Sequence, residues 1–422
     1  MIKRLLMLGV LLGIVHVQGV FSKERTLSYS EFMQQVMEQQ LALVAERFEV
    51  DLADAALAMA YRLPDPELAS DWVDNGQRRS EMGYGFTTEL SWMVELGGKR
   101  KARIAQATSE KELAVLKLKL FVQELHLEAA TAFAEVLRDE VQCANLSSSY
   151  ELIQSVAAFD SLRFSFGEIS RLEARQSALE ARQAYIVLLE TQQKYQSSLL
   201  KLNLLMGNRQ VDSLYIPYGE LSLAAKDYQW KELLAWTLQQ RPEFLLAQQG
   251  VQVAQASQAL TKANRAIDLT LKTQVGYNSY VRNIIAPTPA TATIGAGIAM
   301  PLKFSNKNKG ELRAAQSAVK QQQTRQTWTE LSLVKELKDN YQLYLNLKDI
   351  RATYEENMLQ EASHILTGIV DLYQDGDSSI LEVIAARQRH NELQLAYTEV
   401  CFEYALVCLL LDQSSPVTQV TF

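Results

Sequence analysis

The chain has 422 residues, 48% hydrophobic and 22% charged, with only 8 Pro and 18 Gly, so its elements must be few and long. A formal charge of −7 without any basic stripe argues against nucleic-acid binding. Cys143, Cys401 and Cys408 are an odd number and are expected as buried thiols; the last two, on one helix, would lie about 10 Å apart, too far for a bridge.

In chain order, Lys3 and Arg4 precede an apolar run from Leu5 to Val17 and small residues near Gly19 and Ser22, the layout of an export signal over residues 1–19. The mature chain is expected outside the cytoplasm, and removing Lys3 and Arg4 takes the charge from −7 to −9. No cysteine occurs after the signal until Cys143, so a lipid-modified terminus is not expected and the mature chain should begin as a free amine near Val20 or Lys23. Beyond the signal no apolar stretch is expected to reach the ~20 residues of a membrane helix, which leaves strands as the means of crossing a bilayer.

The first repeat is placed at 20–206. A helix over 27–63, entered by Ser28 or Ser30, is closed by Pro64 and Pro66, which cannot continue it. A β-hairpin is expected at about 67–95, where Tyr84, Phe86, Thr88, Leu90, Trp92 and Val94 alternate with Gly85, Thr87, Glu89, Ser91 and Glu95. Residues 99–166 contain no Gly or Pro and make a helix of about 100 Å if unbroken. Its apolar positions Leu118, Val122, Leu125, Ala129, Ala132 and Val136 recur at the seam spacing of a coiled coil. After a turn at Gly167 a second glycine-free helix returns.

Residues 207–230, with Pro217, read as a belt joining two halves. The second repeat, 231–415, has a helix, then a hairpin at about 267–303. There Ile267, Leu269, Leu271, Thr273, Val275 and Tyr277 oppose Asp268, Thr270, Lys272, Gln274 and Asn278, and Ile294, Ala296, Ile298, Met300 and Leu302 oppose Thr293, Gly295 and Gly297. Residues 311–375 contain only Gly368 as a breaker, the turn falls at Gly376, and a tail ends the chain at 416–422. The duplication is legible residue by residue: Arg103, Ala105 and Gln106 recur as Arg313, Ala315 and Gln316, while Gly167, Leu172 and Glu173 recur as Gly376, Leu381 and Glu382, about 210 residues later. A period this long exceeds those of solenoid repeats and implies two similar halves.

Four isolated strands of bilayer-crossing length, set between long helices, point to a membrane β-portion rather than a soluble sandwich. The lipid-facing residues would be Phe86, Leu90, Trp92, Leu269, Leu271, Ile294 and Ile298. Four strands cannot close a barrel, because the smallest membrane barrels have about eight, so the chain must oligomerise to eight strands as a dimer or twelve as a trimer. No metal-ligand spacing involves His16, His126, His364 or His390, and no phosphate-cradling or dinucleotide glycine loop occurs; neither an enzyme nor a cofactor is expected.

Together, "ELGGKRKARIAQA" from Glu95, "FGEISRLEARQ" from Phe166, "LQQRPEFLLAQQ" from Leu238 and "YQDGDSSILEV" from Tyr373 resemble the TolC-like outer membrane efflux proteins over essentially the whole mature chain. The Gly-Gly-Lys-Arg exit from strand to helix is most similar to the metal-resistance branch. The resemblance implies a homotrimer sharing a twelve-stranded barrel in the outer membrane of a Gram-negative bacterium, continued by an α-helical coiled-coil barrel through the periplasm. It further implies passive conduction of exported substrates from an inner-membrane pump and a periplasmic adaptor, which docks at the tip turns Gly167 and Gly376.

Within the tips the resemblance makes Glu173 and Glu382 candidates for an acidic constriction and Tyr373 for a gating contact. A glutamate there also simply favours a helix amino terminus. The chain departs from the family pattern in several places: Ala385 stands where some members carry a further aspartate and Ser378 where some carry an arginine. Gln40-Leu41-Ala42 lacks the proline of Arg241-Pro242-Glu243. The competing reading is a periplasmic coiled-coil scaffold without a pore.

Overall fold

A computed structural model of the chain describes residues 25–76, 80–208, 214–221, 226–302 and 308–415. The export signal at 1–19, the amino terminus expected near Val20 or Lys23 and the tail at 416–422 lie outside the described residues.

The described residues begin with β1 (Arg25–Leu27) and α1 (Tyr29–Gln39). Ser28 caps α1: its hydroxyl accepts the Glu31 N–H at 3.3 Å while the Glu31 carboxylate accepts the Ser28 N–H at 3.0 Å. The single helix expected over 27–63 is two, because Gln40 is extended (φ −63°, ψ 116°) and α2 (Leu41–Ala60) starts afresh after it. The same break occurs at Arg241 (φ −62°, ψ 127°), between α5 (Trp230–Gln240) and α6 (Pro242–Ala263). Pro242 explains that one, since the residue before a proline is driven out of the helical region. At Gln40 the side-chain oxygen accepts the Ala42 N–H at 3.4 Å, and Gly207 packs so closely that an added Cβ would lie 3.0 Å from the Gln39 carbonyl oxygen.

Four strands form one antiparallel sheet in the order β2 (Glu67–Asp74), β3 (Tyr84–Val94), β5 (Leu269–Asn278), β6 (Thr291–Ala299). Residues 214–221 contribute β4 (Tyr215–Pro217), which pairs in parallel with β1 and fastens the start of the chain to the segment between the halves.

Each strand runs into or out of a helix, and the helices keep the strands' order. These are α2, then α3 (Lys99–Phe166), then α6, then α7 (Asn308–Thr353), each packed on the next. The strand-to-helix junction is polar and tightly tied. Arg103 grips Glu95 at 2.6 Å and the Ala60 and Arg62 carbonyls at 3.2 and 2.9 Å, and Lys99 reaches Asp268 at 2.5 Å. Gly97 turns the corner at φ 73°; a Cβ there would lie 2.1 Å from that of Ala266.

The helix α3 is unbroken over 68 residues, about 100 Å, and α4 (Arg171–Leu205) returns beside it. In the second half, residues 308–375 cover an equal stretch in three pieces, α7, one π turn (Tyr354–Met358) and α8 (Leu359–Asp375), before α9 (Ile380–Asp412) returns. The stretch 311–375, whose single breaker in sequence is Gly368, is thus interrupted at Tyr354–Met358 instead. At the π turn Glu355 accepts from Arg351 at 2.7 Å and from the Tyr397 hydroxyl at 2.9 Å.

The principal core lies where α1, α3, α4, α7 and α9 meet, around Phe32, Phe133, Leu202, Tyr344 and Tyr404. Contrary to expectation, α9 is long and apolar enough by length and composition to cross a bilayer. Its apolar residues instead build this core, Tyr404, Ala405 and Leu411 being at most 1% exposed. All three cysteines are free; Cys401 and Cys408 are buried, whereas Cys143 is only half-buried. Phe133 is fully buried against Tyr29 and Phe32, with ring centroids 5.3 and 5.6 Å away. Phe133→Ala is accordingly expected to cost about 3–5 kcal/mol, read as a shift in the denaturation midpoint of purified protein.

Candidate functional site

Two regions carry residues that the sequence singles out: the faces of the sheet and the tips of the helical hairpins. In the sheet, pairing fixes which side chains share a face. Trp92 stands opposite Leu271 and Leu271 opposite Ile298; Val94 faces Leu269, Phe86 faces Tyr277, and Val275 faces Ile294. Leu68, opposite Leu90, and Trp72, opposite Phe86, extend the same surface across β2. All seven candidate lipid-facing residues thus fall on one side of the sheet. This side is exposed, with Ile294 at 84% and Ile298 at 64%.

Aromatic residues mark both ends of that apolar face. At one end the Trp92 indole N–H donates to the Pro64 carbonyl at 3.1 Å; at the other Trp72 stacks on Tyr84 with centroids 4.9 Å apart. The opposite face carries Glu89, Lys272, Gln274 and Thr293 with Gly295 and Gly297, and Lys272 pairs there with Glu89 at 2.6 Å. One greasy and one polar face, with aromatics at both ends of the greasy one, is the pattern of a membrane-barrel wall.

The two tips are built alike. Gly167 and Gly376 end α3 and α8 in the left-handed region at φ 80° and 89°, which only glycine adopts without strain. The N–H groups of Glu168 and Asp377 then close the last turns on the Arg163 and Leu372 carbonyls, both at 2.9 Å. Three residues beyond each glycine a serine starts the returning helix. Ser170 and Glu173 form one reciprocal capping box, Ser379 and Glu382 the other.

Both candidate constriction residues are therefore capping carboxylates. The Ser170 N–H and hydroxyl hold Glu173 below the usual glutamate range, and the Ser378 hydroxyl with the Ser379 N–H does the same for Glu382. Both side chains reach back to backbone N–H groups, Glu173 to Ser170 at 2.8 Å and Glu382 to Ser379 at 3.1 Å.

Tyr373 sits one turn before Gly376 and is 5% exposed. Its hydroxyl donates to the Asp160 carboxyl at 2.6 Å, tying α8 to α3, while Arg163 lies 5.8 Å over its ring. Burial and that hydrogen bond push the phenol well above its ordinary pKa. Around it Ile153, Val156, Val370, Ile380, Val383 and Ile384 form a small second core.

A second polar contact lies further up the hairpins. Arg387 donates to Glu180 at 3.2 Å and to Ser149 at 3.3 Å, and Asn391 donates to Ser149 at 2.7 Å, so α9, α4 and α3 are pinned together. Burial lowers the Arg387 guanidinium while Glu180 works against that shift.

Sequence reasoning missed Asp160, Glu180 and Arg387. For two of them a signal existed: Asp160 continues the stripe Ile153, Val156 at spacings of 3 and 4, and Arg387 continues Ile380, Val383, Ile384. A charged residue on an otherwise apolar stripe marks a buried polar contact.

Tyr373→Phe leaves the fully buried Asp160 carboxyl without its phenol donor and is expected to loosen the tips by about 1–3 kcal/mol. Faster amide exchange over 153–160 and 370–384 is the readout, with a smaller effect for Asp160→Asn, which keeps an acceptor. Because the caps lower both glutamates, their contribution is complete above the ordinary glutamate pKa of about 4.3 and is lost as pH falls through the lower folded value. Exchange at 171–174 and 380–383, corrected for intrinsic rates, should accelerate only below about pH 4.

The family profile described as outer membrane efflux protein matches residues 32–208 and 233–401. Over 359 residues, 85% of this chain and 82% of the relative, the chain is 23% identical to the cobalt-zinc-cadmium resistance protein CzcC of Cupriavidus metallidurans. Its fold matches the outer membrane protein VceC of Vibrio cholerae with a TM-score of 0.72, at 17% identity over 91% of this chain and 95% of that one. It matches the CmeC outer membrane channel of Campylobacter jejuni with a TM-score of 0.74, at 15% identity over 91% of this chain and 84% of that one. Spanning most of both halves, the profile match shows that this chain belongs to the outer membrane efflux protein family.

Proposed function

We propose that the chain is an internal duplication of which three copies share a twelve-stranded barrel in the outer membrane of a Gram-negative bacterium. The barrel continues as a helical tunnel into the periplasm. The observation that carries this reading is the sheet itself: order β2-β3-β5-β6, one face apolar, and the outer edges of β2 and β6 unpaired among the described residues. Unpaired backbone groups cost several kcal/mol each in hydrocarbon, so the edges must meet those of other copies. The four helices continue the four strands in the same order, so a closed barrel is extended by a ring of helices rather than capped by them.

The conduit is passive. Exported substrates reach it from an inner-membrane pump through a periplasmic adaptor, which docks on the exposed tips around Gly167 and Gly376. Tyr373 with Asp160 holds the second hairpin against the first near the periplasmic end, and breaking that contact widens the tunnel. Copies of Glu382 around the axis, whose caps hold the carboxyl below the usual glutamate range, favour cations in the bore.

Leu271→Arg places a charge on the lipid side opposite Trp92 and Ile298 and is expected to destabilise assembly by about 2–4 kcal/mol. Native mass spectrometry reads the loss of trimer; undiminished trimer would refute the lipid-facing assignment. In planar bilayers Glu382→Gln should lower cation preference while Glu190→Gln, on the body of α4, should not. Equal selectivity in the two variants would return Glu382 to capping alone.

A further inference from the structure

Between α2 and β2 the chain crosses in front of the lower end of β3 and leaves a cleft of about 490 Å³, bounded by residues 62–66 and by Leu90 and Trp92. Leu90 and Trp92 belong to the apolar face and are 44% and 47% exposed. The β2 pairing ends at Glu67 opposite Ser91, so no residue of β2 stands opposite Trp92. The hydrogen bond from its indole to Pro64 sets the ring's orientation, and Pro64 and Pro66 stiffen the facing wall. At the rim stand two opposite charges, Arg62 and Asp65, 3.3 Å apart with side chains 70% and 81% exposed. A pair this exposed gains little from its own contact and can exchange it for other partners.

We propose that this cleft binds a phospholipid whose head group carries a phosphate and a primary ammonium. The Arg62 guanidinium matches the phosphate with paired N–H donors, and the Asp65 carboxylate accepts from the ammonium. Leu63, Leu90 and Trp92 line the path of the first acyl methylenes. An anionic head group without the ammonium would leave Asp65 facing the phosphate, and a quaternary ammonium has no N–H to give. This rests on the reading of the apolar face as lipid-facing. It goes beyond that reading because most of that face offers apolar contact, whereas this point, where strands give way to helices, presents both a cation and an anion at the mouth of an apolar cleft.

The test uses the full protein in phosphatidylglycerol vesicles containing a minor fraction of bromine-labelled phosphatidylethanolamine or phosphatidylcholine, with vesicle flotation as the insertion control. The Trp92 component of fluorescence, isolated by difference from Trp92→Phe, is expected to be quenched more by the ethanolamine lipid. Arg62→Gln and Asp65→Asn should each abolish that preference while still floating with the vesicles. Equal quenching by the two lipids, or a preference surviving in Arg62→Gln, overturns the proposal. So does the absence of Trp92 quenching in protein that floats, which would mean that a second copy covers the cleft. Protein that does not float refutes the lipid-facing sheet itself, and the cleft assignment falls with it.

Discussion

Neither the outer edge of β2 nor that of β6 pairs with anything among the described residues of this chain. In water such edges are a manageable liability, because solvent satisfies the N–H and C=O groups; in hydrocarbon each unsatisfied group costs several kcal/mol. With its apolar face in lipid, as proposed, the sheet would need its edges closed by other copies, and the proposed assembly rests on that constraint. The strands are 8 to 11 residues long, near the ~9–11 that cross a bilayer at a tilt. The helices take up the strand order unchanged, so closing the sheet also sets four helices per copy side by side.

Cohesion is distributed unevenly along this length. The large core around Phe133, Tyr344 and Tyr404 sits at mid-height, where the returning helices and the short β1–β4 pair also meet. Above it the helices fasten to the sheet through charge contacts such as Arg103 with Glu95 and Lys99 with Asp268. Towards the tips the second core is small and flanked by one buried polar contact, Tyr373 with Asp160, and one partly buried, Arg387 with Glu180. Buried polar contacts hold one arrangement sharply but give way together when a partner is lost. Among the described residues, fewer buried apolar side chains hold the tip end than hold the mid-height core.

The period-2 alternation of Tyr84 to Val94 made the greasy face of β3 legible, because a one-residue slip would turn every side chain over. That β3 pairs with β5 rather than ending the first hairpin's sheet was not legible, since no local pattern encodes a partner some 180 residues away. The breaker-free run of α3 was readable from composition, whereas the break at Gln40 was not: no proline marks it, and Gly207 closes on it from a distant part of the chain. The π turn at Tyr354–Met358 left no mark in the apolar spacing. At the tips, Gly167 and Gly376 announced themselves through the repeat, and the serine-to-glutamate spacing announced the caps. The partner of Tyr373 did not, because Asp160 arrives from another helix 213 positions away.

A closed three-copy barrel requires that β2 of one copy close on β6 of another. The direct measurement is disulfide cross-linking in full-length protein whose native cysteines are replaced by serine, with one cysteine scanned along β2 and one along β6. Pairs in register should give a covalent ladder that stops at three chains in membranes. Cross-links only within a single chain, or a ladder that continues without limit, would contradict a closed three-copy barrel.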